Sequence, residues 1–313
     1  MLSACVARGP LIADSLAPGA RASIDLDATP FFPQEKHRCG PAALATVLVA
    51  SSVSVNPEAL DPLVYIPARR GSLQVEMQAA PRAFGRLSYV LSGDLDSILA
   101  ELDAGRPVLV LHNYGLPFLP RWHYAVAIGY DAASDQMTLR SGVTRVQRMS
   151  ARHFMVWWHN GGRLAMVVLR PGETAASANA KLYLEAAADF ERVASPEESR
   201  LAFDAAVQRW PSEAVGWVGR GTAEYRSGEL TAAAKDYAAA LRVDVTSVGA
   251  RNNFAQTLLD LGCPRSAHEQ LQPIETDNLE SPLREMVLDT RRRVEAASHT
   301  SPEADPKSCA LTN

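Results

Sequence analysis

Hydrophobic and polar positions in residues 28–172 first follow the period of helices and then that of strands. The apolar run that begins at Cys39 predicts a helix to about Ala50. Apolar residues at helical spacing follow Asp94, a favourable N-cap, and predict another helix that ends at Gly105. Further short helices are predicted at residues 58–64, at 71–83 and after the N-cap Ser150.

The other apolar segments of this region predict strands separated by turns rich in glycine and proline. A helix-rich half followed by antiparallel strands is typical of an α+β domain, which we place at residues 28–172. The predicted strands lie at residues 86–91, 107–112, 122–130, 136–140 and 164–169.

After Gly172 the sequence becomes rich in alanine, and a 34-residue period runs through it. This period, with aromatic, small and turn residues in that order, resembles tetratricopeptide repeats. It predicts an all-α domain of helical repeats over residues 178–295, and a plain helical bundle with chance spacing is the alternative. The positions 34 residues apart are Tyr183, Trp217 and Arg251; Ala187, Gly221 and Ala255; and Phe203, Tyr237 and Leu271.

The composition is that of a globular protein, since 47% of the 313 residues are hydrophobic and 21% are charged. The formal net charge of −4 gives no electrostatic basis for binding nucleic acid. No apolar run is long enough to predict a transmembrane helix. The cysteines are scattered, which predicts neither a disulfide framework nor a zinc site, and no cofactor is expected. They are Cys5, Cys39, Cys263 and Cys309.

The segment Leu2-Ser3-Ala4-Cys5 has the Leu-small-small-Cys form of a bacterial lipobox. A signal peptide also needs a charged start and an apolar segment, and only four residues precede the cysteine. Either the true start lies upstream or the match is accidental. If it is genuine, Cys5 is lipidated and the protein is a lipoprotein of the bacterial cell envelope. We interpret residues 1–27 as an N-terminal tether and residues 296–313 as a disordered tail.

Cys39 stands at the start of its predicted helix, before Gly40 and Pro41, and proline is favoured in the first helical turn. A helix N-terminus carries partial positive charge and free N–H groups, which favour a thiolate. This position predicts a reactive thiol whose pKa is lowered into the range of about 3.5–7.5. The alternative is a small buried core residue, the usual role of a free cysteine.

A thiolate mechanism needs a base near the cysteine, and His123 is the best candidate. It begins an apolar strand, where a side chain can face a cleft; a structural histidine at a strand edge is the alternative. His112, at the end of the preceding strand, is a rival, and His37 lies on the loop before Cys39. The remaining histidines fit a catalytic role less well: His153, His159, His268 and His299.

Gln34, the triplet Cys39-Gly40-Pro41 and the run His123-Tyr124-Ala125-Val126 carry a resemblance to a known family. They resemble papain-like cysteine peptidases of the bacteriocin-processing, double-glycine-leader type, over residues 28–170. The resemblance implies that Cys39 is the nucleophile and His123 the base. It also implies that Gln34 donates to the oxyanion, together with the Cys39 N–H. The lipobox and the helical repeats are similar to a lipoprotein subgroup of these peptidase-like proteins.

The sequence departs from this family at the third catalytic residue, which is usually an Asp on the strand after the histidine strand. Residues 139–142 contain no carboxylate there, and Ser141 is the side chain that could accept a hydrogen bond from the imidazole. Asp131 and Asp135 lie in the preceding turn. Asn113 is a further candidate, because an asparagine holds this role in papain-like triads.

We therefore expect a cysteine peptidase that hydrolyses peptide bonds, with helical repeats that bind a protein partner or the substrate. A non-catalytic, peptidase-like lipoprotein that binds peptides as a scaffold is the alternative, because the carboxylate expected near Ser141 is missing. Acyl or peptidyl transfer by the same Cys-His pair is a third interpretation. Attachment of the protein to a membrane is expected only if Cys5 is lipidated.

Overall fold

The computed structural model describes residues 11–34, 37–116, 118–300 and Cys309. The chain forms two compact units. The first contains the described residues up to Arg170 together with Thr174–Ala186. The second contains Pro171–Glu173 and the described residues from Ala187 onward.

The first unit is built on a seven-stranded antiparallel sheet with the order β2-β7-β3-β4-β5-β6, and β1 also pairs with β4. Its strands are β1 (Ser23–Asp25), β2 (Leu87–Val90), β3 (Val108–Asn113), β4 (Trp122–Asp131), β5 (Gln136–Ser141), β6 (Thr144–Ser150) and β7 (Ala165–Leu169).

The central strand β4 has different neighbours along its length. On one edge, β3 pairs with residues 122–127 and β1 pairs with residues 129–131. On the other edge, β5 pairs only with the segment from Val126 to Asp131. The first residues of β4 therefore have β3 on one edge and no strand on the other.

Six helices of the first unit surround this sheet. Residues at alternate positions of a strand point to opposite faces, so β3 presents Leu109 and Leu111 on one face and His112 on the other. Leu109 and Leu111 pack in the main core with Leu44 and Leu48 of α2, whereas His112 contacts α6. The helices are α1 (Leu11–Ser15), α2 (Cys39–Ala50), α3 (Pro57–Val64), α4 (Gln74–Ala79), α5 (Leu95–Asp103) and α6 (Ala151–Asn160).

Most of the elements predicted for this unit are present, including the helix from Cys39 to Ala50. Asp94 and Ser150 are N-caps, and each side chain accepts a hydrogen bond from a backbone N–H of the first turn. The helix predicted from residue 71 begins only at Gln74 and continues after Ala79 as a 3₁₀ turn.

The sequence analysis did not predict two of the strands, β1 and β6. β1 lies within the segment interpreted as a tether, so the described part of residues 1–27 belongs to the sheet unit instead. Three residues are too few to show a period of two, and their pairing with β4 is decided by tertiary contacts. β6 is a largely exposed edge strand with two arginines, and its composition resembles that of a loop.

The second unit is helical, and the chain enters it within α7. Three helices start at residues 180, 214 and 248, and three more start at 196, 230 and 264, so both series have the 34-residue period of the sequence. Its helices are α7 (Ala180–Glu191), α8 (Pro196–Arg209), α9 (Ala214–Arg226), α10 (Leu230–Val243), α11 (Val248–Asp260), α12 (Pro264–Leu271) and α13 (Leu283–Thr300).

Two glycines explain the close packing of α9 against its neighbours in this unit. A Cβ at Gly219 would overlap the ring of Phe203, and one at Gly221 would lie 3.1 Å from the ring of Tyr237. Both aromatic side chains are buried. No helix in the described part of the chain is long and apolar enough to cross a membrane.

Cys263, just before α12, forms a disulfide with Cys309. The expectation that the cysteines form no disulfide is therefore wrong for this pair. The partners are 46 residues apart, and sequence spacing alone does not identify such a connection. Among the described residues, Cys39 is the free cysteine, while Cys5 lies outside them. The tail is predicted to be disordered, but residues 296–300 belong to the helix Leu283–Thr300 and Cys309 forms the disulfide. Residues 301–308 and 310–313 lie outside the described part.

Replacing both Cys263 and Cys309 by Ser should lower the free energy of unfolding by about 2–4 kcal/mol, because the cross-link restricts the unfolded chain. Urea unfolding of the wild type and the double variant measures the difference. A reductant should destabilise the wild type by a similar amount and leave the double variant unchanged. Equal unfolding midpoints for the two oxidised proteins would contradict this connection.

Candidate active site

Cys39 is the first residue of α2, and Gln34, five positions earlier, lies outside any helix or strand. Pro41 needs no N–H donor in the first turn, so the helix begins without loss of a hydrogen bond. Gly40 is required by a close approach, because a Cβ there would lie 2.6 Å from the Cβ of Ser72. The segment before α4 thereby packs directly beside the sulfur-bearing residue.

Tyr124 on β4 anchors both Cys39 and Gln34 through its backbone. Its N–H and C=O point to the edge of β4 where β5 has stopped pairing. The Gln34 side-chain Nε2 donates to the Tyr124 carbonyl at 3.4 Å, and the Tyr124 N–H interacts with the Cys39 sulfur. The Gln34 backbone N–H also donates to the carbonyl of Gly142 at 3.0 Å. Gln34 and Cys39 thus share one strand edge.

His123, the residue before Tyr124, lies in the same cavity as Cys39 and Gln34. The cavity has a volume of about 920 Å³. Within the described residues, no hydrogen bond joins the Cys39 sulfur to His123. Catalytic contacts are often loose in ligand-free enzymes, so a common cavity is the relevant geometric observation.

The imidazole of His123 is held by Ser141 on β5, with 2.9 Å between Nε2 and the serine Oγ. In the tautomer that carries its hydrogen on Nε2, His123 donates to Ser141 and leaves Nδ1 free to accept a proton. Ser141 is buried, so this contact is shielded from water. A neutral hydroxyl stabilises an imidazolium less than a carboxylate would.

Tyr114, in the loop between β3 and β4, also supports His123. The two rings lie 5.2 Å apart between centroids, at an angle of 33°. Burial raises the pKa of Tyr114 to about 12, and a hydrogen bond with Ser141 opposes this rise. Trp157 of α6 contacts the Tyr114 ring edge-on at 4.5 Å. Sequence reasoning missed Tyr114, because a tyrosine in a loop has no pattern or motif that predicts a role in the site.

Burial sets the protonation states of the two reactive side chains. It raises the pKa of the Cys39 thiol, although the backbone amides of Tyr124, Gly40 and Cys39 itself favour the thiolate. The predicted lowering of this pKa is therefore wrong, because lost solvation outweighs the partial charge of the helix end. Burial also lowers the pKa of His123 to about 4. Both shifts favour the uncharged pair, a thiol and a neutral imidazole.

The rival histidines occupy different environments. His112 is fully buried, and neither of its ring nitrogens has a hydrogen-bond partner among the described residues. Phe154 contacts it edge-on at 5.2 Å, and burial lowers the pKa of His112 to about 3. His37 lines the cavity but is exposed on its loop. His153 and His159 are exposed on α6.

The alternative candidates for the third catalytic residue serve local structure. The Asn113 side-chain oxygen accepts hydrogen bonds from the N–H groups of Gly115 and Arg121, which closes the loop between β3 and β4. Asp131 accepts from residues of its own turn, and Asp135 accepts from the N–H of Ile12. Of the hydrogen bonds among the described residues, none joins these three side chains to His123; its partner is Ser141.

The described residues hold no group of three or more His, Cys, Asp or Glu side chains that could bind a metal ion. Gln34 carries two N–H donors on Nε2 and uses one on Tyr124, so the other is available to a ligand.

Residues 26–166 match the family model described as the Peptidase C39 like family. This match covers most of the antiparallel-sheet unit, which is thus similar to C39-like peptidases. A search of curated proteins found no match.

Three solved structures are similar to part of the chain. A protein described as a C39-like peptidase from Bacillus anthracis has 14% identity and a TM-score of 0.41, over 48% of this chain and 98% of that one. The peptidase domain of Streptococcus ComA, a bifunctional ABC transporter, has 23% identity and a TM-score of 0.37, over 45% and 98%. A double-glycine-motif protease in complex with its leader peptide has 18% identity and a TM-score of 0.33, over 49% and 95%. Scores of this size support no inference about activity.

Gly40→Ala should destabilise the first unit by about 1–3 kcal/mol, because its Cβ displaces Ser72. Thermal or urea unfolding measures the change. Gly249→Ala on α11 is the matched control, since no atom lies within 4 Å of its added Cβ. Adding Ser72→Gly to Gly40→Ala should restore part of the loss. Equal stability of the two single variants would contradict the close packing at Gly40.

Alkylation of Cys39 by iodoacetamide should become faster with rising pH and reach half its maximal rate above the ordinary cysteine pKa of about 8.5. The reason is that burial raises the pKa of this thiol, so the reactive thiolate forms only in alkaline solution. The measurement uses a Cys5→Ser variant, with the Cys263–Cys309 disulfide intact. A rate that is already maximal at about pH 6 would show a lowered pKa and contradict this.

Proposed function

We propose that the protein is a cysteine peptidase that hydrolyses peptide bonds with Cys39 as nucleophile and His123 as base. The observation that carries the proposal is that Cys39, His123 and Gln34 line one cavity beside the contact between His123 and Ser141. The match of residues 26–166 to the C39-like family model supports the same reaction class.

The reaction begins from an uncharged pair. A substrate carbonyl enters the cavity, Nδ1 of His123 takes the proton of the Cys39 thiol, and the sulfur attacks the carbonyl carbon. The negative charge on the carbonyl oxygen is held by the Cys39 N–H and the free donor of Gln34 Nε2. His123 then gives its proton to the leaving amine, and a thioester remains on Cys39.

Water completes the cycle. His123 removes a proton from water, the resulting hydroxide attacks the thioester, and the carboxylic acid product leaves as Cys39 regains its proton. Ser141 acts as a positioning residue throughout, since it accepts from Nε2 and keeps Nδ1 free. Because Ser141 is uncharged, the imidazolium is stabilised only modestly, and we expect slower turnover than with a carboxylate.

The helical unit is proposed to bind a protein partner or the substrate. Its paired helices with a 34-residue period support an assignment to tetratricopeptide-like repeats, whose stacked units form extended binding surfaces.

The Cys263–Cys309 disulfide supports a location in an oxidising compartment. We therefore propose the bacterial cell envelope, with lipidation of Cys5 as the proposed anchor.

Two observations favour a second candidate, a peptidase-like domain that binds peptides without cleaving them. His123 is paired with a hydroxyl group in place of a carboxylate, and burial raises the pKa of the Cys39 thiol. Slow alkylation at neutral pH does not separate the two candidates, because a neutral pair can transfer its proton during attack. Turnover of a peptide decides between them.

Cys39→Ala and His123→Ala should each abolish peptide cleavage, and Ser141→Ala should lower kcat about three- to tenfold with little change in KM, as expected for loss of one hydrogen bond. The assay incubates the protein with a digest of a bacterial proteome and detects new N-termini by mass spectrometry. In the wild type, activity should fall as pH decreases toward about 4, because His123 must be uncharged to act as the base.

His268→Ala is the matched control, since His268 is exposed on α12. This variant should retain wild-type activity. If the wild type bound peptides but produced no new N-termini, the peptidase proposal would fail and the binding candidate would stand. Full activity of Cys39→Ala would exclude the proposed nucleophile.

A further inference from the structure

Three arginines line the candidate active-site cavity: Arg69, Arg70 and Arg121. All three are exposed. His37 is the other basic side chain near its mouth, and no described residue of the lining is an Asp or a Glu. The lining is thus basic although the whole chain has a formal net charge of −4.

The arginines come from two separate segments of the cavity lining. Arg69 and Arg70 precede Ser72, whose side chain packs against Gly40 beside Cys39. Arg121 lies two positions before His123, immediately before β4. A peptide chain bound in the cavity would therefore meet positive charge from both segments.

These arginines differ from others of the same unit in having no acidic partner among the described residues. Arg21, Arg106 and Arg140 each form an ion pair with a carboxylate of the first unit. Arg69, Arg70 and Arg121 have no such pair, so their guanidinium groups are available to a ligand. Guanidinium binds carboxylates through two parallel hydrogen bonds, which makes arginine well suited to recognise acidic side chains.

Exposed apolar side chains alternate with these charges along the cavity. Leu73, Trp122 and Val143 are 37%, 54% and 79% exposed, and each lines the cavity. Trp122 directly follows Arg121, and Leu73 follows Arg70 by three positions. Large exposed aromatic and aliphatic residues next to arginine are typical of sites that bind a peptide segment.

We propose that this cavity selects peptide segments that carry acidic residues next to apolar residues. The inference rests on the proposed function, because it concerns the substrate of the same cavity. The carboxylates of the peptide pair with Arg69, Arg70 and Arg121, while its apolar side chains pack on Leu73, Trp122 and Val143. Since the pairs form at the cavity mouth, they contribute mainly to binding and to the rate of association.

Peptide binding to the Cys39→Ala protein tests the selection without requiring cleavage. Three fluorescent peptides of equal length, with amidated C-termini, differ only in having Glu, Gln or Lys at the charged positions. The Glu peptide should bind most tightly, and its affinity should fall between about 0.1 M and about 1 M salt as the charges are screened. Fluorescence anisotropy measures the three dissociation constants.

Arg69→Gln, Arg70→Gln and Arg121→Gln should each weaken binding of the Glu peptide about threefold, and the triple variant about tenfold or more. Binding of the Gln peptide should change little. Arg152→Gln is the matched control, because Arg152 is exposed on α6 and does not line the cavity. It should leave the affinity for all three peptides unchanged.

The outcomes separate this inference from the proposed function. Equal affinity for the Glu and Gln peptides, or an oligonucleotide that binds as tightly as the Glu peptide, would overturn the acidic selection. Preference for the Glu peptide, without cleavage by the wild type, would uphold the selection and reject the peptidase. Cleavage of the Glu and Gln peptides with equal kcat/KM would uphold the peptidase and reject the selection.

Discussion

The early end of pairing between β4 and β5 is the constraint on which the candidate active site depends. Because β5 stops at the level of Val126, the N–H and C=O of Tyr124 are left without a strand partner. Buried backbone groups need partners. The Gln34 side chain donates a hydrogen bond to the Tyr124 carbonyl. The Tyr124 N–H interacts with the Cys39 sulfur. One unpaired peptide edge thereby brings together residues from two separate segments of the chain, beside His123.

The same burial that positions these groups also keeps them uncharged. Loss of solvation raises the pKa of Cys39 and lowers that of His123. Among the described residues, the hydrogen-bond partner of the imidazole is a hydroxyl group and not a carboxylate. Ser141 orients the His123 imidazole through its 2.9 Å contact with Nε2 but carries no charge. In the proposed mechanism, formation of a thiolate and an imidazolium would therefore coincide with attack on a substrate, when the proposed oxyanion donors begin to stabilise negative charge.

Sequence reasoning predicted the elements of this site better than its energetics. The helix at Cys39 and the strand at His123 carry local signals, namely a Gly-Pro step and a long apolar run. Local signals could not give Tyr114, because its contact with His123 depends on the loop that Asn113 closes through two backbone hydrogen bonds. The sign of the pKa change at Cys39 could not be predicted either, because it depends on how deeply tertiary packing buries the sulfur. The pairing of Cys263 with Cys309 has the same origin in tertiary structure.

The basic mouth of the cavity and its neutral reactive pair are compatible because they lie in different dielectric surroundings. The three arginines are exposed, so water and salt screen their charges. Burial raises the pKa of the Cys39 thiol. A carboxylate bound at the mouth would contact the guanidinium groups directly, where screening matters least. Such a ligand would also add negative charge near Cys39 and disfavour a free thiolate further. A substrate of this kind is therefore best matched to a mechanism in which the proton leaves Cys39 only as the sulfur–carbon bond forms.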